Sequence, residues 1–317
     1  MRQGIRVVIV SLMLALLLAP APDAVAAAAK KRVLVLYTED KELPAHHFVD
    51  QAIRATVKSS QTFAIELFDE YLSLSRFTDP RYRDTMARFL GDKYAGKRPD
   101  LIIRVSAPAL DFFVQHGDPV FHGIPVVACT ISESQVRALE QAGFRRTVTG
   151  VSFKLVADDL ITGARTLLPG IRRIAVVGGA SETDQIYLAT VREAARQQGS
   201  ELEVIDLAGL AMPELLERVS HLPPQSMVVY ATIFADGAGQ PFIPREALAL
   251  VTRAANAPVF GPFDSYLGHG IVGGRLLSFA AEGQKAMELA FRVLAGESPA
   301  DIPITGEGTH QSLLATR

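Results

Sequence analysis

Two rounds of the same alternation constrain this chain most: short, continuous apolar runs of strand type, each followed by a longer stretch with apolar residues at helical spacing. In the first round "RVLVLY" (Arg32 to Tyr37), "FAIELFDEY", "PDLIIRVS" (Pro99 to Ser106) and "IPVVACT" read as strands. Between them "PAHHFVDQAIRATVKSS" carries Phe48, Ile53 and Val57 at helical spacing, "PRYRDTMARFLGDKYAG" is amphipathic and stops at Gly96, and "APALDFFVQH" is a short helix. Continuously apolar strands are buried on both faces, which requires a parallel sheet covered by helices. The second round brings "GIRRIAVVGG", "ELEVIDLA", "SMVVYAT" and "APVFGPFD" as strands, with helices opening at Ser181 and Thr183 and after Pro244. The fold expected is α/β with two similar lobes, joined near "TVTGVSF" (Thr147 to Phe153). A late helix, "AEGQKAMELAFRVLAG" (Ala281 to Gly296), places Ala286, Leu289, Ala290 and Val293 on one face.

The first residues carry an address. Arg2 and Arg6 precede "VVIVSLMLALLL" (Val7 to Leu18), shorter than the roughly 20 apolar residues of a spanning helix. Ala24-Val25-Ala26 follows as a small-x-small site, so residues 1–26 read as a cleaved secretory signal and the periplasm as the destination. Removing them takes Arg2, Arg6 and Asp23 from 32 basic and 34 acidic side chains, and the remaining chain is near neutral. No basic excess points to nucleic acid. The single cysteine, Cys129, lies in an apolar run and cannot form an internal disulfide, so its expected role is packing.

The spacing of Gly268, Gly270 and Gly273 in "DSYLGHGIVGG" is G-x-G-x-x-G, but its context excludes a dinucleotide turn. Such a turn follows a buried strand and opens a helix, with an acid about 20 residues on. Here a loop precedes it, "GRLLSF" after it is strand-like, and Val293 lies inside a helix 20 residues later. No cofactor is expected. No G-x-S-x-G elbow, Walker turn or zinc-ligand spacing occurs, so neither catalytic residues nor a metal site are expected. His46 and His47 read as solvated histidines at a helix start. What remains are polar residues at strand carboxyl ends, the rim where open parallel sheets bind ligands. They are Thr38 and Glu39 after the first strand, Ser106, Ala107 and Pro108 after the third, and Thr130 after the fourth. In the second round they are Ser181, Thr183 and Asp184, then Thr232 and Phe234, then Asp264. Helix-start N–H groups and hydroxyls suit small polar or anionic ligand groups, although Ser181 and Thr183 equally suit plain helix caps.

The strings "RVLVLYTEDKELPAHHFVDQAIRATV", "KYAGKRPDLIIRVSAPAL" and "ADGAGQPFIPREALALVTRAANAPVFGPFDSYLGHGIVGG" resemble the type I periplasmic-binding-protein-like family of ABC-transporter substrate-binding proteins. The branch most similar also serves as the extracytoplasmic sensing domain of membrane histidine kinases. The resemblance implies two Rossmann-like lobes joined by a three-crossing hinge, with residues 31–148 and 276–300 in one lobe and 149–275 and 301–305 in the other. Residues 306–317 would then be a polar tail, and Gly150, Gly273 and Gly274 hinge residues. It implies a monomeric, non-enzymatic protein that captures a small organic ligand and presents it to an ABC permease or to a membrane sensor. The family's Gly-Thr-Pro turn falls on Ser106-Ala107-Pro108, where serine and alanine depart from the pattern.

Overall fold

The computed structural model describes residues 30–74, 76–77, 79–198 and 202–315; the expected leader lies outside them. The first part of the chain runs β1 (Lys30–Tyr37), α1 (Pro44–Ser59), β2 (Ala64–Tyr71), α2 (Pro80–Tyr94), β3 (Leu101–Val105), α3 (Ala107–Phe121), β4 (Val126–Ser132), α4 (Glu133–Gln141) and β5 (Val148–Phe153). The second runs α5 (Ala157–Leu167), β6 (Arg173–Val177), α6 (Glu182–Gln197), β7 (Glu203–Asp206), α7 (Met212–Ser220), β8 (Ser226–Tyr230), α8 (Pro244–Ala254) and β9 (Val259–Phe260). The chain then returns through β10 (Gly273–Leu277), α9 (Phe279–Leu294) and β11 (His310–Leu314).

Two parallel sheets result, ordered β2-β1-β3-β4-β5 and β7-β6-β8-β9, with β10 and β11 as an antiparallel ribbon. Alternation along the strands explains the layers. Val33, Val35, Ile103, Val105 and Val127 pack with Val49 and Ile53 of α1 and Ala286 and Met287 of α9. Their neighbours Leu34, Leu36, Ile102 and Ala128 pack on the opposite face with Leu90 of α2, Phe112 of α3 and Leu139 of α4. Cys129 is fully buried, as its apolar setting requires.

Two segments differ from the sequence-based expectation. The segment from Thr147 to Phe153, expected as the joint, instead contains the fifth strand of the first sheet, Val148–Phe153, so the chain leaves that sheet only after Phe153. Gly150 belongs to that pairing, since a Cβ there would overlap the Ala128 carbonyl. Residues 310–314, expected in a polar tail, form β11 against β10. Their sequence, "HQSLL", has no continuous apolar run because the ribbon is half exposed. The short helices α4, α5 and α7 were not anticipated; at 9, 11 and 9 residues they offer few turns for periodicity to show.

Helix α9 lies on α1 so closely that a Cβ on Gly283 would come 2.6 Å from the Val49 carbonyl oxygen. Gly283→Ala is therefore expected to cost about 1–3 kcal/mol in chemical denaturation, by overpacking against backbone that cannot move aside. Gly163→Ala, in α5 with nothing within 4 Å of the new methyl, should instead stabilise by about 0.5–1 kcal/mol.

Candidate functional site

The rim of the first sheet is built from strained backbone. Ser106 ends β3 at φ 73° and ψ 162°, a region that glycine occupies readily and serine does not. Its N–H donates to the Cys129 carbonyl at 3.0 Å, which locks the turn to the next strand, and its side chain makes no cap to α3. Thr130, at the end of the adjacent strand, also has positive φ (57°), and the β4–β5 register shifts between Ala128 and Ile131. Such an irregularity redirects side chains out of the regular pleat.

Behind Ser106 stands His46, which is 1% exposed and not the solvated helix-start residue expected. Its Nδ1 lies 3.3 Å from the Asp40 carbonyl and its Nε2 3.5 Å from Ser106 Oγ. Burial pushes its pKa down to about 4, so the ring is neutral near pH 7, with Nδ1–H donating and Nε2 accepting. His47, one residue on, is exposed.

The seam between the sheets holds a group that the rim argument missed. Glu282, in the first turn of α9, is fully buried, and neither carboxyl oxygen has a hydrogen-bond partner. Thr130 approaches it without reaching hydrogen-bond geometry, and Asp264 adds a like charge. Burial first, and Asp264 in addition, push the Glu282 carboxyl up to about 8. Asp264, raised by desolvation, has Ser278 and the N–H groups of Phe279 and Ala280 directed toward it, while its Oδ1 lacks a partner. Aromatic rings surround this pair. Tyr187 of α6 meets Phe153 at 6.1 Å and Phe263 at 5.4 Å between centroids, and Phe263 stacks on Phe279 at 5.4 Å. Phe153 ends the last strand of the first sheet, Tyr187 lies in α6 and Phe263 just after β9 of the second sheet, and Phe279 opens the returning helix. The sequence did contain a signal for Glu282: it lies four residues before Ala286, on the buried stripe of α9.

Several expected rim residues are committed to holding their own lobe together. The Thr38 hydroxyl donates to the Val105 carbonyl at 3.0 Å and accepts from Ala109 N at 3.1 Å, tying β1 to β3 and α3. Glu39 is half-buried beside it. Pro108 occupies the first turn of α3, and the Ala107 side chain lies outside the described set. Ser181 and Asp184 form a capping box at the start of α6. The Asp184 carboxylate is fully buried; it also accepts from Phe234 N at 3.0 Å and Ala235 N at 3.3 Å, clamping the β6 and β8 loops together. Thr183 is exposed. The Thr232 carbonyl takes the Gly179 N–H at 2.8 Å and its side chain is buried. Gly273 and Gly274 have φ of 128° and 141° and let β10 approach Leu313 of β11 and Leu160 of α5. Ser106, Thr130 and Asp264 thus meet His46, Glu282 and the aromatic group at the seam, while Thr38, Ser181 and Asp184 brace it.

Two surface depressions lie elsewhere: one of about 350 Å³ lined by Leu168, Pro223 and Asn256, and one of about 730 Å³ between α2 and α3 lined by Arg88, Gln115 and His116. Neither is lined by a residue at the carboxyl end of a strand. A second buried ion, Arg104 of β3, is fully enclosed with its guanidinium 5.2 Å over the Phe113 ring. Its three nitrogens have no hydrogen-bond partner, and burial lowers its pKa well below the usual value although Asp111 opposes this.

Two parallel α/β lobes, linked by returning segments and with polar strand ends and aromatic side chains at the seam, define the periplasmic binding protein type I class. The family model of ABC transporter substrate binding proteins matches residues 84–316, and the chain belongs to that family. Among curated relatives, the "Tyrosine-binding protein" of Clostridioides difficile (strain R20291) is 25% identical over 229 residues, 68% of this chain. The match spans 61% of that relative's length. A ligand-free, open substrate binding protein with adhesive properties from Clostridium difficile superposes with a TM-score of 0.62 at 18% identity, over 88% of this chain and 90% of that one. A Streptococcus pneumonia ABC domain in complex with L-Trp gives 0.62 at 16% identity, over 90% and 92%. A Bacillus halodurans solute binding protein with bound myo-inositol gives 0.58 at 14%, over 91% and 96%. These structures share the fold. The family is one of solute-binding proteins and not of enzymes.

Two substitutions test the strain and the charge of the seam. Ser106→Gly should raise stability by about 1 kcal/mol in urea titration, because glycine holds φ 73° without penalty. Glu282 has a folded pKa, about 8, above its unfolded value, so its contribution is fully present below the unfolded pKa and lost as pH rises through 8. Glu282→Gln should therefore raise the melting temperature more at about pH 8.5 than at about pH 5, and an equal shift at both would contradict the assignment.

Proposed function

We propose that this chain is an exported, periplasmic ligand-capture subunit whose two lobes close on a small organic molecule at the seam and deliver it to an ABC permease. The observation that carries the proposal is the convergence, at one place between the sheets, of polar groups that the fold leaves without partners. Buried polar groups are normally hydrogen-bonded, and leaving them unsatisfied costs stability. Glu282 and Asp264 retain free oxygens there beside four aromatic rings. A ligand that supplies donors and a flat apolar body offsets that cost, and it does so only when both lobes surround it. This is the differential affinity that shifts an open–closed equilibrium.

The relative named for tyrosine and the fold neighbour holding L-Trp support amino acids as a ligand class, and the neighbour holding myo-inositol supports polyols as another. No helix among the described residues is long and apolar enough to cross a membrane, which accords with a subunit that a membrane partner reads from outside. In this reading the lobes comprise residues 31–153 with 279–300 and residues 157–272, and the connections at 154–156, 273–278 and 301–309 form the hinge. The chain acts as a monomer.

The test is a thermal-shift screen of the protein against amino acids, aromatic acids and amines, nucleosides and polyols, followed by small-angle scattering of each hit. A true ligand at 100 times its dissociation constant stabilises by about 2.7 kcal/mol, and it should also reduce the radius of gyration. Stabilisation with no reduction would contradict closure. Co-purification from membranes distinguishes delivery, which recovers a permease, from sensing, which recovers a histidine kinase or receptor.

A further inference from the structure

We infer that Arg83 of the first lobe and Glu182 of the second pair across the mouth of the seam as the lobes close, which makes Arg83 a positioning residue for closure. The inference rests on the lobe closure proposed above and adds to it the charged contact that sets the balance between open and closed.

The fold brings both residues to facing rims. In a parallel α/β lobe each helix starts beyond the carboxyl end of the strand before it. Arg83 lies in the first turn of α2, Asp111 in the second turn of α3, and Glu182 is the first residue of α6. The start of α6 lies toward the first lobe, because Tyr187, little more than one turn on, meets Phe153 of β5 at 6.1 Å between ring centroids. Asp111 registers both lobes at once. Burial raises its carboxyl, Arg104 and then Arg83 oppose this, and Glu182 adds to it from across the gap. Two carboxylates, one from each lobe, and the Arg83 guanidinium therefore share one corner.

Charge balance inside the first lobe leaves Arg83 over. Arg104 is fully buried with three unpartnered nitrogens, and Asp111 is the carboxylate that acts on it. A buried cation stripped of its counter-charge is strongly destabilising, so Asp111 is committed to Arg104. The Arg83 Nε is buried and has no hydrogen-bond partner. Other acids near α2 are engaged: Asp79 accepts from Arg81 N at 2.9 Å, Asp84 stands 3.4 Å from His116 Nδ1, and Glu39 has contacts of its own. The carboxylate left at this corner is Glu182, which is exposed. Among the described residues no ion pair joins it to Arg83.

Closure changes one of these distances and not the other. Arg104 and Asp111 ride on the same lobe, whereas Arg83 and Glu182 move relative to each other. Without Arg83, closing the mouth would bring Asp111 and Glu182 together as like charges. With it, the same motion gains an ion pair. A pair at an exposed rim contributes modestly and is screened by salt. Such a contact tunes the open–closed ratio without locking it, which suits a protein that must reopen.

The experiment measures the distance between the lobes of the ligand-free chain by electron–electron double resonance. Spin labels are placed at Lys97→Cys and Thr190→Cys, exposed positions in the first and second lobes, while the native Cys129 is fully buried. Spectra are taken at about 10 mM and about 1 M salt, where charges are weakly and strongly screened. At low salt Arg83→Gln and Glu182→Gln should each lower the ratio of short to long distances by about twofold to fivefold, and at high salt the difference should vanish. Arg83→Lys should retain most of the short-distance population, and Arg83→Glu should lower it further. Combining Arg83→Glu with Glu182→Arg should restore it, a rescue that loss of local packing or of a helix-end charge would not produce. Unchanged distances in Arg83→Gln or Glu182→Gln, a shift that persists at high salt, or failure of the reversed pair to rescue would each overturn the inference. If no variant moves the lobes while a hit from the ligand screen still contracts the protein in scattering, the pairing is refuted and ligand capture stands.

Discussion

The close contact of α9 with α1, where Gly283 meets the Val49 backbone, is the interaction on which the arrangement of this molecule depends. A simple tandem of two α/β lobes could end after β9. Instead the chain turns back through β10, and α9 covers the first sheet with Ala286 and Met287 beside Val105 and Cys129. Because α9 starts at the seam, its first turns bring Phe279 and Glu282 to the place where the two sheets face each other. Packing of one helix thereby determines both how the lobes are joined and which side chains lie between them.

That place is held by two kinds of polar residue with different duties. Asp184 and Thr38 are fully partnered inside their lobes and make the strand ends rigid. Glu282 and Asp264 are not fully partnered, and Ser106 and Thr130 are held at positive φ by the strands around them. Strain and unsatisfied polarity persist only when the surrounding structure over-determines them. Here the braces are the first kind of residue and the unsatisfied or strained chemistry is the second. A rigid rim around an unsatisfied centre suits ligand capture, because the cost of organising the donors and acceptors is met during folding and not on binding.

The pattern of polar residues at strand carboxyl ends does not separate those that brace their own lobe from those left with unpartnered atoms. Both kinds are short polar residues after an apolar run, and only the hydrogen bonds tell them apart. Asp184 and Asp264 show this most clearly: each follows a lobe-two strand, yet the Asp184 carboxylate receives the N–H groups of Ser181, Phe234 and Ala235 and Asp264 keeps an oxygen free. His46 was misread because its position near a helix start suggests solvent, whereas the β1–α1 loop folds over it and Asp40 and Ser106 take its two nitrogens. Glu282 escaped because it belongs to no strand end, and its place on the buried stripe matters only once α9 is known to lie against the first sheet.

What the sequence alone determined is therefore the α/β architecture, the two rounds of parallel strands, the rejection of G-x-G-x-x-G as a nucleotide turn and the family resemblance. Apolar runs, helix periods and glycine context act over a few residues, so local order is enough to reveal them. Tertiary structure alone decided that Val148–Phe153 is a fifth strand, that residues 310–314 pair with β10, and that Glu282 lies unpartnered beside Asp264. Each of these depends on contacts between segments far apart in the chain. Whether a buried charge finds a partner is a property of the whole packed molecule.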